Sequence, residues 1–410
     1  MACMSSAKPS LDLLRSLTEE HVLYALMEHR RLTRAEVAAL TGISKPTISE
    51  GVRRLVDAGL VVDTGERSSG RGRAGSYYTL APDCGAALVV SITPHEVVAE
   101  AVDAFGEVVA ATEIALARDA GVGAVGLTLT RAVAEIAGRG RAGTGAGAGT
   151  GPGTGAGPRL RVAVVSAADP VDRRTGRLVH LPDAPFLVGD LDAAALLAPA
   201  VDGPVLVDND VNWAARAERA SGDAGAVGGS PDFVYLYLDE GLGLAVVSDG
   251  EVRRGHSGLA GEIAHLLTEG PDGRAVRLTE VFAQLGLRRP GSTAIDVELL
   301  RTRVADAAGG DSTLLALGAA VSGVLGAAIA LADPEMVVVG GAWGRDVAFV
   351  DELRRRSADL PRPVPVVVAL DDDRPQLSGA RAAALHRLRE SVVAAVRAPA
   401  GRLVDRQSPR

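Results

Sequence analysis

Four polar residues could hold a small molecule. Asn209 and Asp210 close the run PVLVDND, and Glu262 and His265 lie three apart in GEIAH. A carboxylate accepts hydrogen bonds, an amide donates and accepts, and an imidazole does either. That mixture satisfies the hydroxyls of a polyol. Polar residues where a strand runs into a helix sit where open α/β sheets bind ligands. The three-residue spacing lets Glu262 and His265 share one side of a helix. Structural roles compete: Asp208 and Asp210 can cap the helix at 211–220, and His265 can be a satisfied core histidine.

A second set of side chains lies near the start, in LTRAEVAALTGISKPTISEGVRRLVDAGLV at 32–61. Thr33 with Glu36 has capping-box spacing, and Gly42 ends that helix. Ser44 caps the next, with Pro46 in its first turn. Ile48, Val52 and Leu55 recur at helical spacing and face a core, which leaves Lys45, Thr47, Ser49 and Arg53 outward. This is the helix-turn-helix layout, with Ser44, Lys45, Pro46, Thr47, Ser49 and Arg53 presented to a DNA major groove. A strand from Val61, the loop TGERSSGRGRAG and the strand SYYTL form a wing. Arg71 and Arg73 at its tip suit a narrow minor groove.

The rest of the chain must position the first set. Its 410 residues carry a net charge of −8, yet residues 1–80 hold 11 Lys/Arg against 9 Asp/Glu. A nucleic-acid surface therefore belongs at the N-terminal end and not on the acidic body. Two cysteines, Cys3 and Cys84, make neither a disulfide framework nor a Cys-x-x-Cys metal pair. No signal peptide is evident, and the apolar runs are too short or too rich in small residues for a membrane assignment, so a cytoplasmic protein is expected. Strands ALVVSI, VVAEAVDA and EVVAATEI open a meander, and a helix follows at 122–137. The Gly-rich stretch 138–158 has almost nothing to bury and reads as a disordered insertion. It has no Gly-Lys-Ser/Thr, so it is no phosphate loop. Strands RVAVVSA and PVLVDND follow. The second half repeats the theme, with FVYLYL, LGLAVVS, a long small-residue helix, MVVV, PVPVVVAL and a helix at 377–388. Two α/β lobes around a cleft are expected.

VDNDVNWAARAE, GHSGLAGEIAHL and DPEMVVVGGAWG resemble the ROK family of repressors and sugar kinases, in particular its transcriptional regulators, over nearly the whole chain. The resemblance implies an α/β protein: an N-terminal winged helix-turn-helix at 1–82 ahead of a two-lobed sugar-kinase-like (actin-like ATPase) fold. The first lobe is expected at 83–204, the second with the oligomerisation region at 205–390, and a tail at 391–410. It also implies that Asn209, Asp210, Glu262 and His265 contact sugar, with Glu280 as a further contact. In family kinases the Asp of the Asn-Asp pair is the general base.

Departures from the family are specific. Kinases carry Asp-x-Gly-Gly-Thr after the first strand; here the stretch is VVSITPHEVV, with Ser91 in place of the Asp. Their second phosphate segment, Gly-Thr-Gly-x-Gly, is here Asp239-Glu240-Gly241-Leu242-Gly243, whose carboxylates repel phosphate unless a cation intervenes. The segment VSAADPVD replaces a glycine-containing turn, which alters the pocket's shape. The Cys-x-Cys-Gly-x-x-Gly-Cys zinc segment is replaced by EGPDGRAVRLTEVFAQL, which leaves Leu278, Val281 and Phe282 to hold that loop. The expectation is a repressor of carbohydrate-related genes that binds double-stranded operator DNA as a homodimer or homotetramer. It responds to a sugar or sugar derivative and has no metal, cofactor, catalytic residue or enzyme activity. The alternatives are an ATP-dependent sugar kinase with an appended DNA-binding domain, or a ligand-independent DNA-binding dimer.

Overall fold

The computed structural model describes residues 11–68, 75–138, 157–181, 185–186, 189–222, 225–306, 312–370 and 372–397. Arg71, Arg73 and most of the Gly-rich stretch 138–158 lie outside them.

The head begins with α1 (Leu11–His29), a short strand β1 (Arg31–Thr33), α2 (Arg34–Thr41) and α3 (Lys45–Asp57). Thr33 and Glu36 form the capping box at the start of α2, and Gly42 ends it with φ +70°, a conformation that favours glycine. Ser44 caps α3, which buries Ile48, Val52 and Leu55. Strands β2 (Val61–Arg67) and β3 (Ser76–Leu80) complete a three-stranded sheet in the order β1-β3-β2. β1 is absent from the sequence reading because three residues carry no readable alternation.

The first lobe holds β4 (Ala86–Ile92), β5 (Glu96–Asp103), β6 (Val108–Ala115), α4 (Val122–Gly138), β7 (Leu160–Ala167), α5 (Ala193–Leu197) and β8 (Val205–Asn209). Next comes α6 (Asp210–Ala220). The second lobe holds β9 (Phe233–Leu238), β10 (Leu242–Ser248), β11 (Glu251–Val252), β12 (Leu267–Glu269), β13 (Ala275–Arg277), α7 (Leu278–Gln284), α8 (Val297–Ala305), α9 (Thr313–Ala332), β14 (Met336–Gly340), α10 (Val347–Ala358) and β15 (Val366–Val368). The last helix described is α11 (Pro375–Arg397).

Among the described residues the two large sheets have one topology. The orders are β6-β5-β4-β7-β8 and β11-β10-β9-β14-β15. In each, an antiparallel three-stranded meander continues from its first strand into two parallel strands. The molecule is thus a two-lobed sugar-kinase-like α/β fold preceded by a winged-helix head.

Three expectations need correction. β8 is hydrogen-bonded to β7, so the first lobe extends past the expected boundary at residue 204. α11 packs on β4 and β7 and not on the second sheet, so it belongs with the first lobe; it also runs past the expected start of a tail at 391. Its buried residues Leu377, Ala380, Ala384, Leu388 and Val392 recur every three or four positions, one face of a helix. That face joins Leu23 and Leu26 of α1 and Val89 and Val164 of the sheet in a single core. Finally, residues 255–266 are turns and not a helix; Gly255, Gly258 and Gly261 all have positive φ. At Gly261 a Cβ would meet the Leu244 carbonyl oxygen, so the backbone passes too close for a side chain.

In place of the cysteine segment, β12 and β13 form a hairpin. Leu278, Val281 and Phe282 are buried behind it, and Thr268 Oγ1 donates to the Ala320 carbonyl (2.5 Å). Among the described residues one helix, α9, is long and apolar enough to cross a membrane, and its Leu317, Val321, Val324 and Leu325 pack into the second lobe's core.

Candidate ligand cleft and exposed head helix

A cavity of about 430 Å³ lies between the lobes. The junction of β8 and α6 delivers Asn209 and Asp210 to it, the 255–266 turns deliver Glu262 and His265, and the turn between β9 and β10 delivers Asp239 and Glu240. The four residues chosen from sequence therefore share one cavity. The cap of α6 is Asn209 and not the Asp208 or Asp210 weighed from sequence: Asn209 Oδ1 accepts from the Val211 amide at 3.0 Å, and Asp210 Oδ1, on the first residue of the helix, accepts from the same amide at 2.8 Å. Asn209 Nδ2 donates to the Asp169 carbonyl at 3.4 Å. Asp208 is wholly structural. Buried, it accepts from Asn212 (2.9 Å) and Arg216 (2.8 Å), with Arg254 Nε at 3.2 Å.

Glu280 is not in the cavity. It is exposed at the start of α7 and accepts from the Arg277 amide at 3.1 Å, while its neighbour Thr279 lines the cleft. The third position of a helix bends its carboxylate back to the cap, and local capping wins here.

Burial sets the acid–base character of the cleft. It pushes Asp210 up to about 7, with Asp239 adding to the shift against the Val211 amide. Glu262 is also pushed up to about 7, by burial and then by Asp210. Asp169, unremarked in the sequence, reaches about 7 through burial, Asp210 and Glu262. A carboxylate near neutrality can take a proton from a hydroxyl or return one.

Glu240 does not stand alone as the sequence suggested. Its carboxylate accepts from Arg289 (2.6 Å), meets His95 Nε2 at 3.1 Å and lies 3.6 Å from Arg118. His95 and Arg118 come from the first lobe, so the group clasps the two lobes. At the near end of α11, Arg374 lines the cleft and pairs with Glu96 and Glu113, each at 3.0 Å. A second cavity of about 570 Å³ shares Tyr237 and Asp239 with the first and is lined by Gly341, Ala342 and Arg345.

On the head, Lys45, Pro46 and Thr47 are exposed and Ser49 half-buried on one side of α3. Ser44 Oγ lies 2.7 Å from Thr47 Oγ1. Arg53 is exposed but engaged, with Glu50 (2.6 Å) and Asp57 (2.7 Å) on its guanidinium. The sequence reading missed this pairing although both carboxylates lie at i−3 and i+4.

Cleft, duplicated sheets and winged head together define a sugar-kinase-like protein with a helix-turn-helix module. A family model described as ROK family matches residues 155–282, and one described as MarR family matches residues 16–74. Over residues 155–282 the chain matches the ROK family, whose relatives include transcriptional regulators and kinases. The bifunctional enzyme NanE/NanK of Brucella suis biovar 1 (strain 1330) is 30% identical over 177 residues, 42% of this chain and 33% of the relative. A putative xylose repressor of Caldicellulosiruptor sp. (strain Rt8B.4) is 23% identical over 269 residues, 62% of this chain and 59% of the relative. The chain thus spans between a third and three-fifths of the length of these two relatives. The solved structure of a ROK family transcriptional regulator, a homolog of the E. coli MLC protein, superposes with a TM-score of 0.61 at 17% identity. It covers 93% of this chain and 98% of its own, and shows the shared fold.

These comparisons overturn one expectation. The chain was expected not to be an enzyme, yet its relatives include the bifunctional enzyme NanE/NanK, an N-acetylmannosamine kinase and a glucokinase beside the xylose repressors. The altered phosphate segments do not remove this chain from that company.

Proposed function

We propose that this chain is a DNA-binding transcriptional regulator whose cleft senses a sugar or sugar derivative. The observation that carries the reading is α11. One end lines the cleft through Gln376, with Arg374 just ahead of the helix beside it, and the other packs on α1 of the head. Its 23 residues span about 34 Å of continuous helix. A ligand that changes the lobes' closure has a stiff element through which to bias the head, as coupling between sites requires. Paired heads in a dimer would set two α3 helices in successive major grooves of an operator. The Arg71/Arg73 tip belongs to the same proposal.

Gel-shift titrations on fragments recovered by genome-wide mapping of bound DNA test this reading, with and without a sugar panel. Lys45→Ala should weaken binding and lower the salt slope by about 1. Arg53→Ala should do less, because Glu50 and Asp57 already hold that charge. Thr47→Ala and Ser49→Ala should alter sequence preference more than salt dependence. Unchanged binding by the Lys45/Arg53 double alanine variant would sink the head assignment.

A second reading, a sugar kinase with an appended DNA-binding head, is favoured by Asp210. Its carboxylate near neutrality is suited to accept a hydroxyl proton, and the adjoining cavity offers room for a phosphoryl donor. ATP-dependent turnover of a hexose that is lost in Asp210→Asn would establish it.

A further inference from the structure

Asp169 is a carboxylate with no role in the account above. It is 2% exposed, it lines the cleft, and its Oδ2 has no hydrogen-bond partner. A buried polar atom without a partner is costly, and such atoms mark places where a ligand group belongs.

The surroundings specify the group. Asp208 is answered by Arg216 and Arg254, and Glu240 by Arg289. Among the described residues, Asp169, Asp210 and Glu262 take part in no ion pair, although they line one cavity and raise one another's pKa. Neutral hydroxyls could satisfy their lone pairs but not their mutual repulsion. A protonated amine supplies both donors and the opposite charge. A bare metal ion is a poorer fit, because no three His, Cys, Asp or Glu side chains among the described residues converge closely enough to hold one. Asn209, His265 and Thr279 around the same cavity suit the hydroxyls of a sugar ring.

We propose that the cleft selects a sugar bearing a protonated primary amine, with Asp169 as the residue that receives the ammonium group. This rests on the sugar-binding reading above and narrows it to one chemical class. An N-acetylated sugar falls outside that class, since its nitrogen is an uncharged amide.

Calorimetry on the full chain at pH 7 tests it with glucosamine, galactosamine and mannosamine, each beside its parent hexose and N-acetyl derivative. At least one free amine should bind about tenfold or more tighter than both neutral counterparts. In Asp169→Asn that ratio should fall to within about twofold. Both affinities are read on the same protein, so a folding defect, which removes both, does not mimic a changed ratio. Neutral sugars bound as tightly as amines, or a preference that survives Asp169→Asn, overturns the amine assignment and leaves sugar sensing standing. No binding by any member of the panel overturns both.

Discussion

The two lobes share a strand order but are held together differently. The second sheet packs on an aromatic centre in which Trp343 makes edge contacts with Phe282 (5.8 Å between centroids) and Phe349 (5.0 Å). The first sheet has no such centre. Its faces are covered mainly by aliphatic side chains, with Trp213 donating to the Val165 carbonyl (3.0 Å) on the face that α11 closes, and α11 also closes the head. The hairpin turn after the first strand of each sheet points into the cleft, and there the lobes differ again. One turn brings His95, the other Glu240, and they meet at 3.1 Å. A duplicated topology thus leaves the two halves free to diverge: one anchors its own core, the other couples to a neighbour.

The largest expected effects test that contrast. Trp343→Ala should destabilise the protein by about 3–5 kcal/mol, as loss of a fully buried aromatic does. Hydrogen exchange should then show protection lost around β14 and α10 and retained in α1–α3. Leu388→Ala should cost about 2–5 kcal/mol. Here the loss should spread into α1, because Leu388 shares a core with Leu23 and Leu26. Identical exchange patterns in the two variants would abolish the distinction between the lobes.

A smaller effect separates the cleft from both cores. Asp169, Asp210 and Glu262 have folded pKa values raised to about 7. The folded state therefore binds more protons than the unfolded one between roughly pH 4 and 7. Their contribution to stability is fully present below the unfolded carboxylate values and is lost as pH rises through 7. The melting temperature at pH 5 should exceed that at pH 8 by a few degrees, a difference that Asp169→Asn reduces. An equal difference in the variant would remove Asp169 from the titrating group. Smallest is Glu240→Gln, which should cost about 1 kcal/mol or less since its partners are partly solvated. Its clearer signature is a larger radius of gyration in solution scattering; unchanged dimensions would show that Glu240 clasps nothing.

Legibility from sequence followed distance along the chain. Thr33, Glu36, Gly42 and Ser44 act within a few residues of themselves, and each was assigned from spacing alone. Asn209, Asp210, Glu262 and His265 were recognised as motif residues, although the motif did not reveal that the last two sit on turns. What escaped was the charge compensation of Glu240, whose partners lie 145 and 49 positions away. Asp169 also escaped, because burial, which shapes its chemistry, is a property of the assembled lobes. Glu280 was misplaced for the converse reason: a local cap was overlooked in favour of a distant pocket.

The α1–α11 contact also bears on how the molecule comes into being. Arg389 donates to the carbonyl of Met27 across 362 positions. During synthesis at about 5–20 residues per second, α1 therefore waits roughly 20 seconds or more for the helix that covers it. Until then α1 has only α2, α3 and the small sheet of the head to pack against, and the part of its face that meets α11 stays uncovered. The head and the cleft are completed by the same late event, so nascent chains are not expected to carry a finished head without a cleft behind it.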